Sequence, residues 1–395
     1  MAAIVSEGGG RGQNSAGPAH FVRKVGGAVG TVLASVIGPG PWSRMTIATM
    51  QALRKPRPEP GAQIESVPVP AARPGEVLVR VRAASICGTD LHIYHWDAWS
   101  ASRLHPPLTF GHEFCGVVDS VGEGVTEFGR GDRVTAEMHV ACHHCRPCRA
   151  GQPHLCQNVR ILGIDQDGCF AEFVRIPATN VWKLDPAIPD HYAAIMDPLG
   201  NAVHSVLAGP IAGCTVAVTG CGPIGLMCIA VAKACGCSTL YATEISPHRE
   251  KLAREMGADL VLNPKETDAV ARVLAETGGA GVDVLLEMSG NPAAIRQGFH
   301  MLRPGGRASL LGIPGEPVTL DLLPDVIFKG ATVLGIYGRR MFETWLQMDA
   351  LLRDGRLKLD PLFKERLQLG EFTRAFQLLE QGAAGKVLLL PNGVE

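Results

Sequence analysis

The stretch "CTVAVTGCGPIGLMCIAVAKAC", residues 214–235, limits the fold more than any other in the chain. A continuous apolar run with β-branched residues predicts a buried strand, the glycines a tight turn, and the longer apolar run a helix. The rhythm repeats downstream as strand "TLYAT", amphipathic helix "SPHREKLAREMG" ending at a glycine, and strand "DLVLN". "VDVLLEMSG", "GRASLLGIP" and "ATVLGI" continue the series. Strands alternating with helices predict a doubly wound parallel sheet. The uncharged stretch 205–232 is long enough to cross a bilayer, but its Gly-Pro and glycine interruptions favour strand, turn and helix, so no membrane span is expected.

The turn itself reads Gly220-Cys221-Gly222-Pro223-Ile224-Gly225, between strand and helix. In that setting glycines let the backbone approach a pyrophosphate on the helix N-terminus. Glu244 ends the next strand, 19 residues after Gly225, where a carboxylate would accept from adenosine ribose hydroxyls and repel a 2'-phosphate. NAD is therefore expected over NADP. The competing reading of Glu244 is a solvated strand end.

Residues 51–195 have a different texture. "EVLVRVRAA", "EFCGVVDSVG", "GDRVTAEM" and "CFAEFVRIP" are short alternating runs broken by turns, which predict a β-rich, barrel-like domain. Inside it, "CHHCRPCRAGQPHLC" sets Cys142, Cys145, Cys148 and Cys156 within fifteen residues. Twelve cysteines in 395 residues are too few for a disulfide scaffold, and a chain of this length needs none to hold a core. Clustered thiols then point to metal or redox chemistry in an intracellular enzyme. Four thiolates at this spacing can close a tetrahedral site for zinc or an iron-sulfur centre, with no position left for substrate. A redox pair and ligation by His139, His143, His144 or His154 remain competing readings. A second, mixed set stands upstream: Cys87 in "ICGTDLHIYHWDAWS", and His112 and Glu113 in "FGHEFCG". Cysteine, histidine and carboxylate together suit a zinc ion with one coordination position open. Taken singly, Cys87 reads as buried filler and His112 as an ordinary polar group. Asp197 in "IMDPLGNAVH" is a candidate further ligand, or else a helix cap before Pro198.

At these residues the sequence resembles the zinc-containing medium-chain dehydrogenases, and within them the branch acting on L-threonine. The resemblance runs from residue 50 to the C-terminus and is carried by "ICGTDLHIYHWDAWS", "DPLGNAVH", "LLEMSGNP" and "VIFKGATVLGIYGRRMFETW". It implies an α/β fold with a GroES-like β-rich catalytic domain over 50–195, a Rossmann NAD-binding domain over 196–340, and a segment 341–395 returning to the catalytic domain. It further implies one catalytic and one structural zinc per subunit, NAD as cofactor, a homotetramer in the cytoplasm, and oxidation of L-threonine to 2-amino-3-oxobutyrate. By motif position, Cys87, His112 and Glu113, with Asp197, would bind catalytic zinc, and the four clustered cysteines structural zinc. Thr89 and His92 match the family's proton relay, His139 a histidine that helps select threonine, and Arg249 an adenosine contact beside Gly220, Gly222, Ile224, Gly225 and Glu244. Two positions depart from the pattern: Arg340 stands where relatives are acidic, and Asp197 where many have glutamate.

Three rivals follow. A polyol or vicinal-diol dehydrogenase would share the fold, NAD and both zinc sites. A non-enzymatic zinc module binding nucleic acid or protein is opposed by a net charge of -1 and 5% aromatics. A catalytically silent paralogue is opposed by the intact ligand set and glycine loop. Residues 1–49 have no counterpart in the family. They are expected to be a disordered or wrongly assigned extension, since their basic and apolar run lacks a small-residue cleavage site, and Met45 and Met50 are alternative starts.

Overall fold

The computed structural model describes residues 48–382 and 385–393. The expected N-terminal extension lies outside the described residues up to position 47. The doubly wound sheet is present. Thr215–Thr219, Thr239–Thr243, Leu260–Leu262, Val282–Glu287, Leu302–Leu310 and Thr332–Gly335 form six strands. All pair in parallel, in spatial order 3-2-1-4-5-6 by position in the chain. Their buried Val, Leu and Ala side chains account for the continuous apolar runs, since helices cover both faces. Strand order reverses between Thr215–Thr219 and Val282–Glu287, the crevice where such sheets bind ligands.

The first half is β-rich, as its alternating runs require. Val181–Lys183, Arg133–Ala136, Glu113–Val121 and Glu76–Ser85 lie side by side, and Lys386–Leu390 and Phe363–Gln368 extend the same sheet. The last of the described strands is thus antiparallel to Glu76–Ser85, 300 residues earlier. A smaller sheet holds Gln63–Pro68, Thr49–Lys55 and Leu108–Thr109.

Helix Met196–Leu207 joins the two halves and buries ten of its twelve residues. It packs on helices Pro223–Ala234 and Glu343–Arg353. Arg307 stabilises its C-terminal turn by donating to the carbonyls of Ser205 and Val206 at 3.2 and 3.0 Å, a favourable place for a cation. Gly200 is a glycine for a steric reason: a Cβ there would stand 2.4 Å from Arg339 Cδ. The stretch that suggested a membrane span resolves into the end of this helix, a strand, a turn and a second helix. Among the described residues, no helix is long and apolar enough to cross a membrane.

Candidate active site

The glycine loop sits at the switch point. Gly220 has φ +85°, and a Cβ on it would meet Ser289 at 2.7 Å. A Cβ on Gly225 would meet the Gly220 carbonyl at 2.0 Å, so this glycine lets helix and strand pack closely. Above Gly222 a Cβ would meet nothing within 4 Å, which leaves open backbone at the N-cap of Pro223–Ala234, where a pyrophosphate fits. A cavity of about 550 Å³ continues from it past Glu244, Arg249, Lys265 and Asn291. Glu244 is buried, and its carboxylate accepts from the amides of Cys221, Ile245 and Ser246 at 2.8–2.9 Å. Those bonds fix a negative charge at the end of the second strand.

Cys142, Cys145, Cys148 and Cys156 converge, with every sulfur within 4.8 Å of the others. All twelve cysteines are free thiols, which removes the disulfide reading. The amides of Cys142 and Asn158 donate to Cys156 Sγ at 3.2 and 3.3 Å. Amide donors from His144 and Cys145 hold the Cys142 thiol down to about 5, while burial and neighbouring sulfurs push Cys148 up to about 12. None of the four histidines weighed as ligands joins this group among the described residues. His143 and His144 are exposed, His154 packs against His204, and His139 is buried beside Tyr337. Apart from the cysteines, the lobe's apolar cluster contains only Ala141 and Val159.

The second set also converges. Cys87 caps helix Gly88–His95, while His112 and Glu113 open strand Glu113–Val121, and their ligand atoms lie within 4.8 Å of one another. His112 Nδ1, Glu113 Oε1 and Asp90 Oδ1 are buried without hydrogen-bond partners. Burial would lower the His112 imidazole, yet Asp90, Cys87 and Asp197 together push it up to about 10. The surroundings therefore call for positive charge. Among the described residues, the buried carboxylates Asp90, Glu113, Glu137 and Asp197 lie beside two buried permanent cations, Arg339 at Glu137 and Asp197 and Lys386 at Glu113. A dication with one thiolate, one imidazole and one carboxylate offered to it fits that imbalance.

Asp197 stands outside the trio. Its Oδ1 lies 2.8 Å from an Arg339 nitrogen, in a geometry that leaves the oxygen without a hydrogen bond. Arg339 is fully buried and makes two bonds to Glu137, one of them at 2.7 Å. Trp345 Nε1 donates to the same carboxylate at 2.9 Å. His139 Nδ1 lies 2.8 Å from Glu137 and 2.9 Å from Arg339, so this cluster fixes the ring and leaves Nε2 as its other polar atom. Thr89 Oγ1 is 3.8 Å from Cys87 Sγ. His92 lies toward solvent, with Nδ1 2.6 Å from Asp97 Oδ2.

Sequence reasoning passed over Asp90, Asp97, Glu137, Arg339, Trp345 and Lys386. Asp97 had a local signal, since it precedes helix Ala98–Arg103 and caps it through Ser100 N at 2.9 Å. Arg339 meets Glu137 across 202 residues and Lys386 meets Glu113 across 273, and these pairs leave no such signal.

Two thiol-containing ligand groups in the β-rich half and a glycine loop at the switch point of a parallel sheet define a zinc-binding dehydrogenase. Residues 73–186 match the alcohol dehydrogenase GroES-like domain and residues 223–354 the zinc-binding dehydrogenase domain, and the chain belongs to this family. Within it, the chain is 49% identical over 342 residues to an L-threonine 3-dehydrogenase of Bacillus licheniformis, covering 87% of this chain and 99% of that one. It is 50% identical over 345 residues to an L-threonine 3-dehydrogenase of Symbiobacterium thermophilum, covering 87% and 98%. Among solved structures, 2R,3R-butanediol dehydrogenase from Bacillus subtilis superposes with a TM-score of 0.80 at 32% identity, covering 87% and 100%.

Proposed function

We propose that the protein oxidises the 3-hydroxyl of L-threonine to give 2-amino-3-oxobutyrate, with NAD as hydride acceptor and one catalytic and one structural zinc per chain. The observation that carries this reading is the convergence of Cys87, His112 and Glu113, together with a His139 ring held by Glu137 and Arg339. The threonine assignment is supported by 49–50% identity to threonine dehydrogenases, against 32% to a diol dehydrogenase of the same fold. Zinc and NAD, when bound, would supply Lewis acidity at the hydroxyl and a hydride acceptor.

The chain's own residues supply the rest. His139, held at Nδ1, offers Nε2 to the substrate, which favours an amino acid over a plain diol. Thr89 beside Cys87 takes up the hydroxyl proton and His92 passes it to solvent, with Asp97 Oδ2 orienting its ring at Nδ1. Asp197 is a further or exchangeable ligand whose free oxygen Arg339 keeps in place. Glu244 and Arg249 serve the adenosine end, and the Glu244 charge favours NAD over NADP. All twelve cysteines being thiols supports a reducing, cytoplasmic setting.

NADH formation with NAD and L-threonine, beside L-serine, sorbitol and 2,3-butanediol, tests the substrate. Preference for threonine is expected, and preference for a diol would move the protein to the polyol branch. His92→Asn is expected to slow oxidation about 100-fold while leaving NAD affinity unchanged. Simultaneous loss of NAD binding would refute the relay role.

Assembly into a homotetramer is part of the same reading. Thr332–Gly335 is an edge strand of the parallel sheet, and Leu322, Leu323, Ile327, Phe328 and Val333 are exposed on or near it. An uncovered edge with apolar side chains suits pairing with a second copy. Light scattering on the eluting protein should give the mass of four chains; a monomer at micromolar concentration would sink this part.

A further inference from the structure

The carboxylate of Glu113 faces two ways. Its Oε2 accepts from Lys386 Nζ at 2.6 Å, while Oε1 is buried, without a hydrogen-bond partner, in the trio with Cys87 and His112. Lys386 is itself 2% exposed, and its other bond is to the carbonyl of Ile86, the residue before Cys87, at 3.0 Å. One ammonium group therefore touches the carboxylate of one candidate ligand and the backbone leading into another. It comes from the C-terminal strand Lys386–Leu390, outside both motifs that supply the ligands. A lysine this deeply buried has no solvation to gain by letting go of Glu113, so it stays paired, and in a low-dielectric site it repels a dication at short range.

We propose that Lys386 is a positioning residue of the metal centre. It holds one oxygen of Glu113 and so limits how strongly that carboxylate binds the ion, keeping the ion exchangeable. The inference rests on the reading of Cys87, His112 and Glu113 as the metal set. Without the ammonium, both oxygens of Glu113 are free for the ion, the repulsion is gone, and metal release slows. With arginine in its place, a cation remains.

The test is zinc release from the full-length, zinc-loaded protein into excess chromogenic chelator, with the Cys87→Ser variant identifying which kinetic phase belongs to this centre. Lys386→Met is expected to slow that phase at least tenfold, and Lys386→Arg to stay within about threefold of the parent. In the cobalt-substituted protein, the ligand-field bands should shift in Lys386→Met and not in Lys386→Arg. Should Lys386→Met fail to fold, Lys386→Gln removes the charge while keeping a donor, and release should slow in the same direction by a smaller factor. In a Glu113→Gln background, loss of the lysine charge should slow release less than in the parent, leaving only the part due to direct repulsion. Release at the parental rate or faster in both the Met and Gln variants would overturn the proposal. An unchanged zinc content in Cys87→Ser would instead overturn the ligand reading beneath it, so the two failures are distinguishable.

Discussion

Replacing Arg339 with methionine is expected to lower the melting temperature by on the order of 10 °C and to abolish most threonine-dependent NADH formation. The substitution strands Glu137, which is fully buried and keeps only Trp345 Nε1, the amide of His139 and the His139 ring as donors. Removing one partner of a buried pair costs about 3–5 kcal/mol, because the remaining charge has no water to return to. Each kcal/mol moves the midpoint of a large domain by roughly 2–4 °C. Activity falls for a separate reason: Arg339 also reaches Asp197 and fixes His139, so the cleft loses two oriented groups at once. Calorimetry and initial rates check both effects, and a midpoint within 2 °C of the parent would show that the pair does not hold the junction. The pH dependence has a definite sign. Burial works to raise the Glu137 carboxyl, but Arg339 and His139 prevail and hold it well below the ordinary carboxylate range. A depressed group gives stability that is present above the unfolded value of about 4.3 and lost as pH falls below it. The gap in midpoint between parent and Glu137→Gln should therefore be constant from neutral pH to about 5 and narrow only in more acid solution.

Cys145→Ser is expected to remove one zinc per chain and to unfold the lobe around Cys142–Cys156 without dismantling either sheet. The lobe's apolar cluster, apart from its cysteines, consists of Ala141 and Val159, far too little to hold it by burial. A structural zinc contributes on the order of 10–16 kcal/mol in small domains, so the ion takes the place of a core. Metal analysis should fall by one equivalent, and trypsin should cut after the exposed Arg149 at least tenfold faster than in the parent. Unchanged zinc content would remove the structural role of these thiols.

What the sequence disclosed was whatever repeats or clusters locally. The strand and helix rhythm after residue 196 is a matter of apolar period, and each quoted run corresponds to an element within a few residues. The glycine loop was legible because steric demands fix Gly220 and Gly225, with Gly222 between them on open backbone. Cys142 through Cys156 form one short segment, and Cys87 and His112 are close enough in sequence for their residue types to be suggestive. The charges that complete the site were not legible. "GRR" places two arginines side by side, and nothing local says that Arg339 is buried against Glu137 while Arg340 lies at the surface with Glu343. Arg340 stands out by its departure from the family pattern, whereas the burial of Arg339 depends on Gly200 in a helix 139 residues upstream. Lys386 in "GKVLLL" reads as an ordinary strand start, although it meets Glu113 across 273 residues.

That last separation bears on how the protein is made. Translation at about 5–20 residues per second delivers Glu113 well over ten seconds before Lys386. Throughout that interval the nascent first half has Cys87, His112 and Glu113, but neither the ammonium that restrains Glu113 nor the strand that carries it. A free ion met on the ribosome would thus encounter a more strongly donating site than the finished enzyme presents, and the closing strand would convert early capture into a retained but exchangeable cofactor.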